Sequence, residues 1–498
     1  MHFVPKSLHG IQQKIVPLQR FFGTKWLFLR KKLVRKTLKM SEINENQTSK
    51  NTSSPKAGFG YRAYKSYVRW MQNHLLYRRV HYLNMDRLPQ AGTPCIIVSN
   101  HQNCANDPLG ILLGLENEYR PYVIARADAF GIHPLVAKFF YWIGMLPAFR
   151  MDWEGADAVK KNDEIFRISG GKLLEGNRLI MFPEGGHQDK HFLGEFKYGY
   201  TRLAFLTAEM GNFERDVVIL PVAHHYSRYF GMQADFMVTV GEPISLAPYY
   251  ELYKTKPRTA QREVNKLVRQ QIEQMMLDVR DTDNYEAIDF VRETWGVRFA
   301  EKNGKNPDVL PEKLASDKQL VAQLAQCQAE NPDEIKAIYG DALALKQGEK
   351  ALHISDCLFD HCPIALKITL TVLAQILLLP LWIVALFPNA IAYNLPKLLL
   401  KQDKMFTNTL IFILDVVVLL PLFAVTTLLV MGLAWGLWWQ AAVWILLWPA
   451  LSLFAWYDYK WMQRTCQAIK FRCNKLKIKR LRDIRERMYA KLNTLFNI

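Results

Sequence analysis

The chain has 498 residues, 50% of them hydrophobic and 22% charged, which is enough for two or three domains with buried cores and excludes a wholly disordered protein. Its formal charge of +18 lies at the two ends, because residues 1–40 and residues 460–498 each carry a net +10. A basic end beside an apolar region favours an anionic membrane surface as partner over nucleic acid. Seven scattered cysteines, an odd number, argue against a disulfide framework.

Residues 1–58 are predicted to form a basic N-terminal segment and a disordered linker. The first forty residues show no secretory signal, and their lack of acidic residues is typical of an organelle transit peptide. An initiator at Met40 is the alternative. The polar run 41–58 has too few apolar residues to fold by itself.

Strand-like and helix-like segments alternate over residues 59–248, which predicts an α/β domain with a mixed sheet flanked by helices. The stretch YKSYVRWMQNHLLYRRV has the period of one amphipathic helix. Further helices are predicted in GILLGLE, HPLVAKFFYWIG, DEIFRISGGKLLEG and GYTRLAFLTAEMG, and strands in PCIIVSN, YVIARA, RLIMFPEG, VVILPVAHHY and FMVTVGEPI. We expect the functional residues in the turns at the strand ends.

Charged helical patterns with few strand signals predict a helical soluble region over residues 249–360. Its end spaces His353, Cys357 and His361 by four residues each, with Cys362 next. These residues would share one helical face, but four ligands from one straight helix cannot surround a zinc ion. We therefore predict no metal site and a helix that enters the membrane.

Residues 361–459 are predicted to form an α-helical membrane region. Its apolar runs are 364–387, 410–434 and 441–457, and the third is marginal for a span of about 20 residues. Three full crossings would separate the α/β domain from the basic helical tail, residues 460–498. We predict two crossings and one in-plane or re-entrant segment.

The stretch VSNHQNCANDPLG, residues 98–110, follows a buried strand and contains one histidine. Asp107 and Pro108 predict a helix start, with Asp107 as N-cap and Pro108 in the first helical position. His101 lies in the preceding polar turn, where an aspartate can orient an imidazole that acts as a general base. From these residues alone, a catalytic histidine and an ordinary loop histidine stay equal alternatives.

Three later segments also place candidate functional residues in a turn or a strand. GMLPAFR ends at Arg150, and in IMFPEGGHQ a strand closes on a turn whose glycines let backbone N–H groups approach an anion. The third, VVILPVAHHYS, is a buried strand interrupted by Pro221. Each segment alone has an ordinary structural interpretation.

In this order, the four segments resemble the motifs of the phospholipid and glycerol acyltransferase family, which includes glycerol-3-phosphate and 1-acylglycerol-3-phosphate acyltransferases. The likeness covers about residues 61–248, and the first motif has its five-residue spacing between histidine and aspartate. The matching residues are Asn100, His101 and Asp107, then Gly144, Pro147 and Arg150, then Phe182, Pro183, Glu184 and Gly185, and finally Ile219, Leu220, Pro221 and Val222.

The resemblance implies an integral membrane enzyme that moves a fatty acyl group from acyl-CoA or acyl-carrier protein to 1-acylglycerol-3-phosphate or glycerol 3-phosphate. No metal or other cofactor is implied. His101 would be the general base, oriented by Asp107, and Cys104 would take no part. The acceptor and its phosphate would contact Arg150, Glu184, Gly185 and Lys197, and Pro221 and Val222 would line the acyl-donor groove.

One motif departs from the family pattern. Many members continue the Phe-Pro-Glu-Gly motif with Thr-Arg-Ser, whereas this chain has Gly186, His187 and Gln188. Lys197 or Arg202 would then replace the arginine, or the acceptor is a lysolipid without phosphate or an aminolipid. A catalytically silent lipid-binding membrane protein is the third alternative, which the retained histidine and aspartate disfavour. We expect the α/β domain on the cytoplasmic side.

Overall fold

The computed structural model describes residues 56–116, 119–131, 133–149, 157–186, 190–386, 389–390, 394, 412–413, 416 and 419–497. Arg150 and His187 lie outside these residues, as do most of the predicted N-terminal segment and much of the second apolar run.

Eight strands within the described residues form one mixed sheet. They are β1 (Tyr77–Leu83), β2 (Cys95–Ser99), β3 (Tyr122–Arg126), β4 (Met145–Ala148), β5 (Arg178–Met181), β6 (Val218–Tyr226), β7 (Ala234–Val240) and β8 (Ile244–Ser245). Their order is β1-β7-β6-β2-β5-β3-β4, with β8 beside β6. All pairs are parallel except β6 with β7 and β6 with β8. The predicted mixed α/β sheet is confirmed.

The helices divide into those beside the sheet and those that follow it. The first group is α1 (Phe59–Met71), α2 (Asn106–Gly114), α3 (Pro134–Trp142), α4 (Asp157–Leu174), α5 (Gly199–Met210), α6 (Tyr250–Thr255) and α7 (Pro257–Met275). The second is α8 (Tyr285–Thr294), α9 (Gly296–Lys302), α10 (Leu310–Glu330), α11 (Pro332–Leu352), α12 (Cys357–Asp360), α13 (Ala365–Leu386), α14 (Leu420–Thr427), α15 (Trp438–Cys473) and α16 (Lys475–Phe496). Short π and 3-10 turns lie at Gln72–Leu76, Met85–Arg87, Ala127–Gly131, Ala247–Tyr249 and Leu428–Ala434.

The sheet is covered on both faces, which explains why strand β2 is apolar from Cys95 to Val98. Side chains alternate along a strand, so Ile97 packs in one layer with residues of α1 and α2. Ile96 and Val98 pack in the opposite layer with residues of α5 and α7. Each fully buried aliphatic side chain stabilises the fold by roughly 1.5–3 kcal/mol.

The helices after the sheet have a third core, centred on Trp295, which is fully buried. The basic tail helix α16 belongs to this core and is tied to it by ion pairs. Arg487 Nε donates to Asp341 Oδ2 at 3.0 Å, and Arg485 Nε donates to Asp356 Oδ1 at 2.7 Å. Part of the positive charge of the tail is therefore balanced within the protein.

Two helices, α13 and α15, are long and apolar enough to cross a membrane. Only 11% and 22% of their most apolar stretches are buried in the protein, whereas a core helix of a soluble protein would be mostly buried. The two helices contact each other, since Trp382 Nε1 donates to the carbonyl of Ala455 at 3.1 Å. The third predicted run, marginal by itself, is part of the 36-residue helix α15.

Three local predictions were wrong. The helix predicted through residue 80 ends at Met71, and after a π turn the chain continues as strand β1. Strand β4 was missed. The predicted common face of His353 and Cys357 is absent, because α11 ends at Leu352 and His353 has a φ of +51°.

Candidate active site

The candidate site lies where three neighbouring parallel strands end. Strand β2 lies between β5 and β6, with Val98 opposite both Met181 and Pro221. Because parallel strands end at one edge of a sheet, the turns after β2 and β5 and the last residues of β6 meet there. The sheet thus brings together segments that are far apart in sequence.

His101 and Asp107 are joined directly. His101 Nδ1 lies 2.8 Å from Asp107 Oδ2, and the aspartate side chain is fully buried, whereas the histidine side chain is 18% exposed. The imidazole also stacks on the ring of Phe182, with centroids 4.4 Å apart. The hydrogen bond to Asp107 and the stacking on Phe182 hold the ring where it is partly exposed to solvent.

The Asp107 carboxylate accepts four hydrogen bonds, one of them from His101. Its Oδ2 also accepts the backbone N–H groups of Gln102 and Asn103, at 2.7 and 2.8 Å, and its Oδ1 accepts the hydroxyl of Tyr226 at 2.5 Å. The carboxylate therefore closes the loop that carries His101 and fixes the ring within it.

The predicted N-cap role of Asp107 was wrong. Helix α2 begins at Asn106, and no side chain caps it. The aspartate points back to the loop instead, because Cys104 has a left-handed φ of +46° that turns the chain towards residues 102 and 103.

The environment favours an ionised aspartate beside the histidine. Burial alone would raise the pKa of Asp107, but the hydrogen bond from His101 and the electrostatic influence of His224 and His101 outweigh it and lower that pKa. A carboxylate in this position accepts the proton on His101 Nδ1 and selects the tautomer whose acceptor nitrogen is Nε2.

Glu184, in the turn after β5, supports the same loop. Its Oε1 accepts the backbone N–H of His101 at 2.7 Å, and its Oε2 accepts the backbone N–H of Gly194 at 2.9 Å. Burial raises the pKa of Glu184, opposed by these two hydrogen bonds. A Cβ at residue 194 would lie 2.6 Å from Glu184 Oε2, so any larger residue there would displace the carboxylate from its present position.

Gly185 and Lys197 lie side by side. Gly185 has a φ of +66°, and a Cβ at this residue would lie 3.2 Å from Lys197 Nζ. The lysine is exposed, and its backbone N–H donates to the carbonyl of Pro183 at 2.9 Å. The structure thus brings a cation to the turn that carries Glu184. Contact with an acceptor stays a prediction.

The structure gives less information on the remaining predicted substrate contacts, which are Pro221, Val222 and Arg150. Pro221 and Val222 lie inside β6, and both are buried; Val222 packs in the layer of α1 and α2. Their predicted role in an acyl-donor groove stays a prediction. Arg150 lies outside the described residues.

Sequence reasoning missed two residues beneath the site, Tyr226 and His224. The Tyr226 hydroxyl binds Asp107, and its pKa is raised well above the ordinary value by burial and by the negative charge of Asp107, so it stays a donor. His224 is fully buried, with Nδ1 2.8 Å from Ser99 Oγ, and burial lowers its pKa. His224 and Tyr226 are two residues apart at the end of β6, so a strand prediction there would have put them on the same face of the sheet.

A family model described as acyltransferase matches residues 79–225, from within β1 to within β6. The matched segment therefore contains His101, Asp107 and Glu184.

Two curated relatives are chloroplastic 1-acyl-sn-glycerol-3-phosphate acyltransferases. The one from Brassica napus is 31% identical over 124 residues, which are 25% of this chain and 33% of the relative. The one from Arabidopsis thaliana is 30% identical over 124 residues, 25% of this chain and 32% of the relative. The chain thus spans about one third of the length of these relatives.

Among solved structures, the 1-acyl-sn-glycerophosphate acyltransferase of Thermotoga maritima matches with a TM-score of 0.30 and 15% sequence identity. The match covers 43% of this chain and 79% of that chain.

Proposed function

We propose that this chain, which contains an acyltransferase-family domain distantly similar to 1-acylglycerol-3-phosphate acyltransferases, is a membrane-bound glycerolipid O-acyltransferase. Its substrates are acyl-CoA or acyl-carrier protein as donor and 1-acylglycerol-3-phosphate or glycerol 3-phosphate as acceptor. The observation that carries the proposal is the 2.8 Å contact between His101 Nδ1 and the buried Asp107, at the edge of the sheet.

In the proposed reaction, His101 Nε2 takes the proton from the acceptor hydroxyl while its oxygen attacks the thioester carbonyl. The new C–O bond forms, the C–S bond breaks, and the leaving thiolate takes the proton back from the imidazolium. Asp107 stabilises the imidazolium between these steps. The thioester is already activated, so the reaction needs no covalent acyl-enzyme.

The contacts of the apolar segments support a lipid substrate. Val416, Leu420 and Trp448 pack in the same layer of side chains as Tyr226, which binds Asp107. The hydroxyl of Tyr67 in α1 also donates to the carbonyl of Val416 at 2.9 Å. A membrane-dissolved acyl chain would therefore have a short path to the site.

The packing of the tail supports an even number of complete crossings. Helix α16 contacts α11, so the basic tail and the helical region after the sheet lie on the same side of any membrane that α13 and α15 cross. Two crossings satisfy this condition. The positive charge of the tail supports a cytoplasmic position for the acyltransferase domain, by the positive-inside rule.

The proposal is tested with membranes that contain the full chain or its His101→Ala variant. Labelled acyl-CoA and labelled acyl-carrier protein are each offered with 1-acylglycerol-3-phosphate, glycerol 3-phosphate, a lysolipid without phosphate and an aminolipid. We expect transfer to a phosphate-bearing acceptor by the unaltered chain alone. Equal transfer by both proteins, or no transfer to any acceptor, would refute the proposal that this chain is an acyltransferase that uses His101. Transfer only to acceptors without phosphate refutes the proposed substrate class.

A further inference from the structure

A cavity of about 450 Å³ lies between the acyltransferase domain and helix α15. Its domain wall includes Arg78 of β1 and Arg228 of the loop after β6, and its helix wall includes Lys460 and Arg464. The volume is within the range of about 300–1,000 Å³ found for small-ligand sites. Four cationic side chains thus line one cavity.

The positive charge of the cavity is only partly balanced. Asp235 accepts hydrogen bonds from Arg78 at 2.9 and 2.8 Å, but Arg79 shares the same carboxylate. Among the described residues, Arg228 and Arg464 form no ion pair. Partial burial lowers the pKa of Arg228, and the positive charges of Arg78 and Arg464 lower it further. The cavity therefore favours an anion.

Helix α15 changes from an apolar to a basic sequence where it lines this cavity. Trp456, Tyr457, Lys460, Trp461 and Arg464 line it, and their spacing places them on one face of the helix. The apolar stretch of α15 precedes them, and the basic stretch follows. Tryptophan, tyrosine and cationic residues in this order are typical of the level of lipid headgroups.

The cavity wall is continuous with the loop that carries His101. Arg228 and Gln233 belong to the loop after β6, in which the carbonyl of Tyr229 accepts Asn103 Nδ2 at 3.2 Å. On the other side, the hydroxyl of Tyr457 donates to Gln233 Oε1 at 2.7 Å. The cavity is thus a fixed junction between α15 and the domain.

We propose that this cavity binds the phosphate of an anionic membrane phospholipid through Arg78, Arg228, Lys460 and Arg464. Guanidinium groups suit phosphate oxygens because they form paired, charge-assisted hydrogen bonds. Soluble phosphate esters offer the same chemistry, but the position of the cavity at the end of an apolar helix favours a lipid headgroup. The site is separate from the proposed acyl transfer and does not depend on it.

The full chain in a neutral detergent is titrated with dioctanoyl phosphatidylglycerol, and the melting temperature is followed by tryptophan fluorescence. This lipid is neither acceptor nor product of the proposed reaction, so the two proposals fail independently. We expect a saturable rise in melting temperature, because a ligand that binds the folded state stabilises it. Dioctanoyl phosphatidylcholine and inorganic phosphate form the comparison arms, and we expect a smaller shift from each.

Two variants locate the site. Lys460→Gln with Arg464→Gln removes charge from the helix wall, and Arg228→Gln removes it from the domain wall. We expect each variant to weaken lipid binding about tenfold or more, since hydrogen bonds to charged groups are lost. If one variant does not fold, the other still decides the question.

The matched control is Arg480→Gln with Arg482→Gln, two exposed arginines on α16 whose replacement removes the same charge from the basic tail. We expect unchanged affinity. Equal weakening in this control would show that the lipid is attracted by the overall positive charge and not by the cavity. An equal shift with phosphatidylcholine would show that binding does not depend on the anionic headgroup. Either result would overturn the proposal. So would an equal shift with inorganic phosphate, or no saturable shift with phosphatidylglycerol.

Discussion

Replacing Asp107 by asparagine separates the charge of this side chain from its structural role. The asparagine amide has one oxygen, and the backbone N–H groups of Gln102 and Asn103 both point to the present position of Oδ2. The amide oxygen must occupy that position, since an NH₂ group there would face two donors. The amide NH₂ then faces the hydroxyl of Tyr226, which can accept as well as donate. The loop and the tautomer of His101 are thus retained, and only the negative charge is lost.

The expected loss of activity follows from that charge. Two unit charges about 4 Å apart interact with about 4 kcal/mol at an effective dielectric constant of about 20. Because a neutral hydrogen bond remains, we expect Asp107→Asn to lower kcat by about 10²–10³-fold. Alanine would instead leave three buried donors without an acceptor, at about 1–3 kcal/mol each. That sum is a large part of a typical stability of about 5–15 kcal/mol.

The assay is the initial rate of acyl transfer at saturating acceptor, with melting temperatures measured on the same preparations. We expect a folded Asp107→Asn protein with low kcat and an Asp107→Ala protein that folds poorly. Wild-type kcat in the asparagine variant would refute the electrostatic role. Loss of folding in the asparagine variant would refute the inferred amide orientation.

Three further predictions concern the same site. Tyr226→Phe removes one hydrogen bond from Asp107, and we expect kcat to fall about tenfold with KM unchanged; steady-state kinetics showing no change would refute a positioning role for this hydroxyl. Glu184→Gln cannot accept both backbone N–H groups, so we expect kcat to fall; a rise in acceptor KM at unchanged kcat would instead favour acceptor contact. The lowered pKa of Asp107 contributes stability that is present above its ordinary pKa of 3.8 and is lost as the pH falls through the lower folded-state value. The difference in unfolding free energy between wild type and Asp107→Asn should therefore shrink below about pH 4, and a pH-independent difference in melting curves would contradict this.

The central sheet was predictable because its strands leave strong local patterns. The predicted strands PCIIVSN and VVILPVAHHY correspond to β2 and β6, which are apolar runs that end in polar turns. Strand β1 was missed since Leu75, Leu76 and Tyr77 continue the apolar spacing of α1 across a π turn. Strand β4 has only four residues, one of them proline, and leaves no alternating pattern.

The site was predictable only in its local part. His101 and Asp107 are six residues apart, so their spacing and their motif are visible in the sequence. Tyr226 is 119 residues from Asp107, and only the pairing of β2 with β6 brings them together. The N-cap prediction failed because two loop N–H groups compete with the helix for the same carboxylate.

The most direct test of the central claim is the kcat of His101→Ala for acyl transfer, beside His74→Gln as a control. His74 is an exposed histidine in the π turn after α1, stacked on Trp70. If His101 is the general base, its alanine variant should lose about 10²–10⁴-fold in kcat at unchanged melting temperature, while His74→Gln keeps wild-type activity. A folded His101→Ala protein that transfers acyl groups at the wild-type rate would contradict the account.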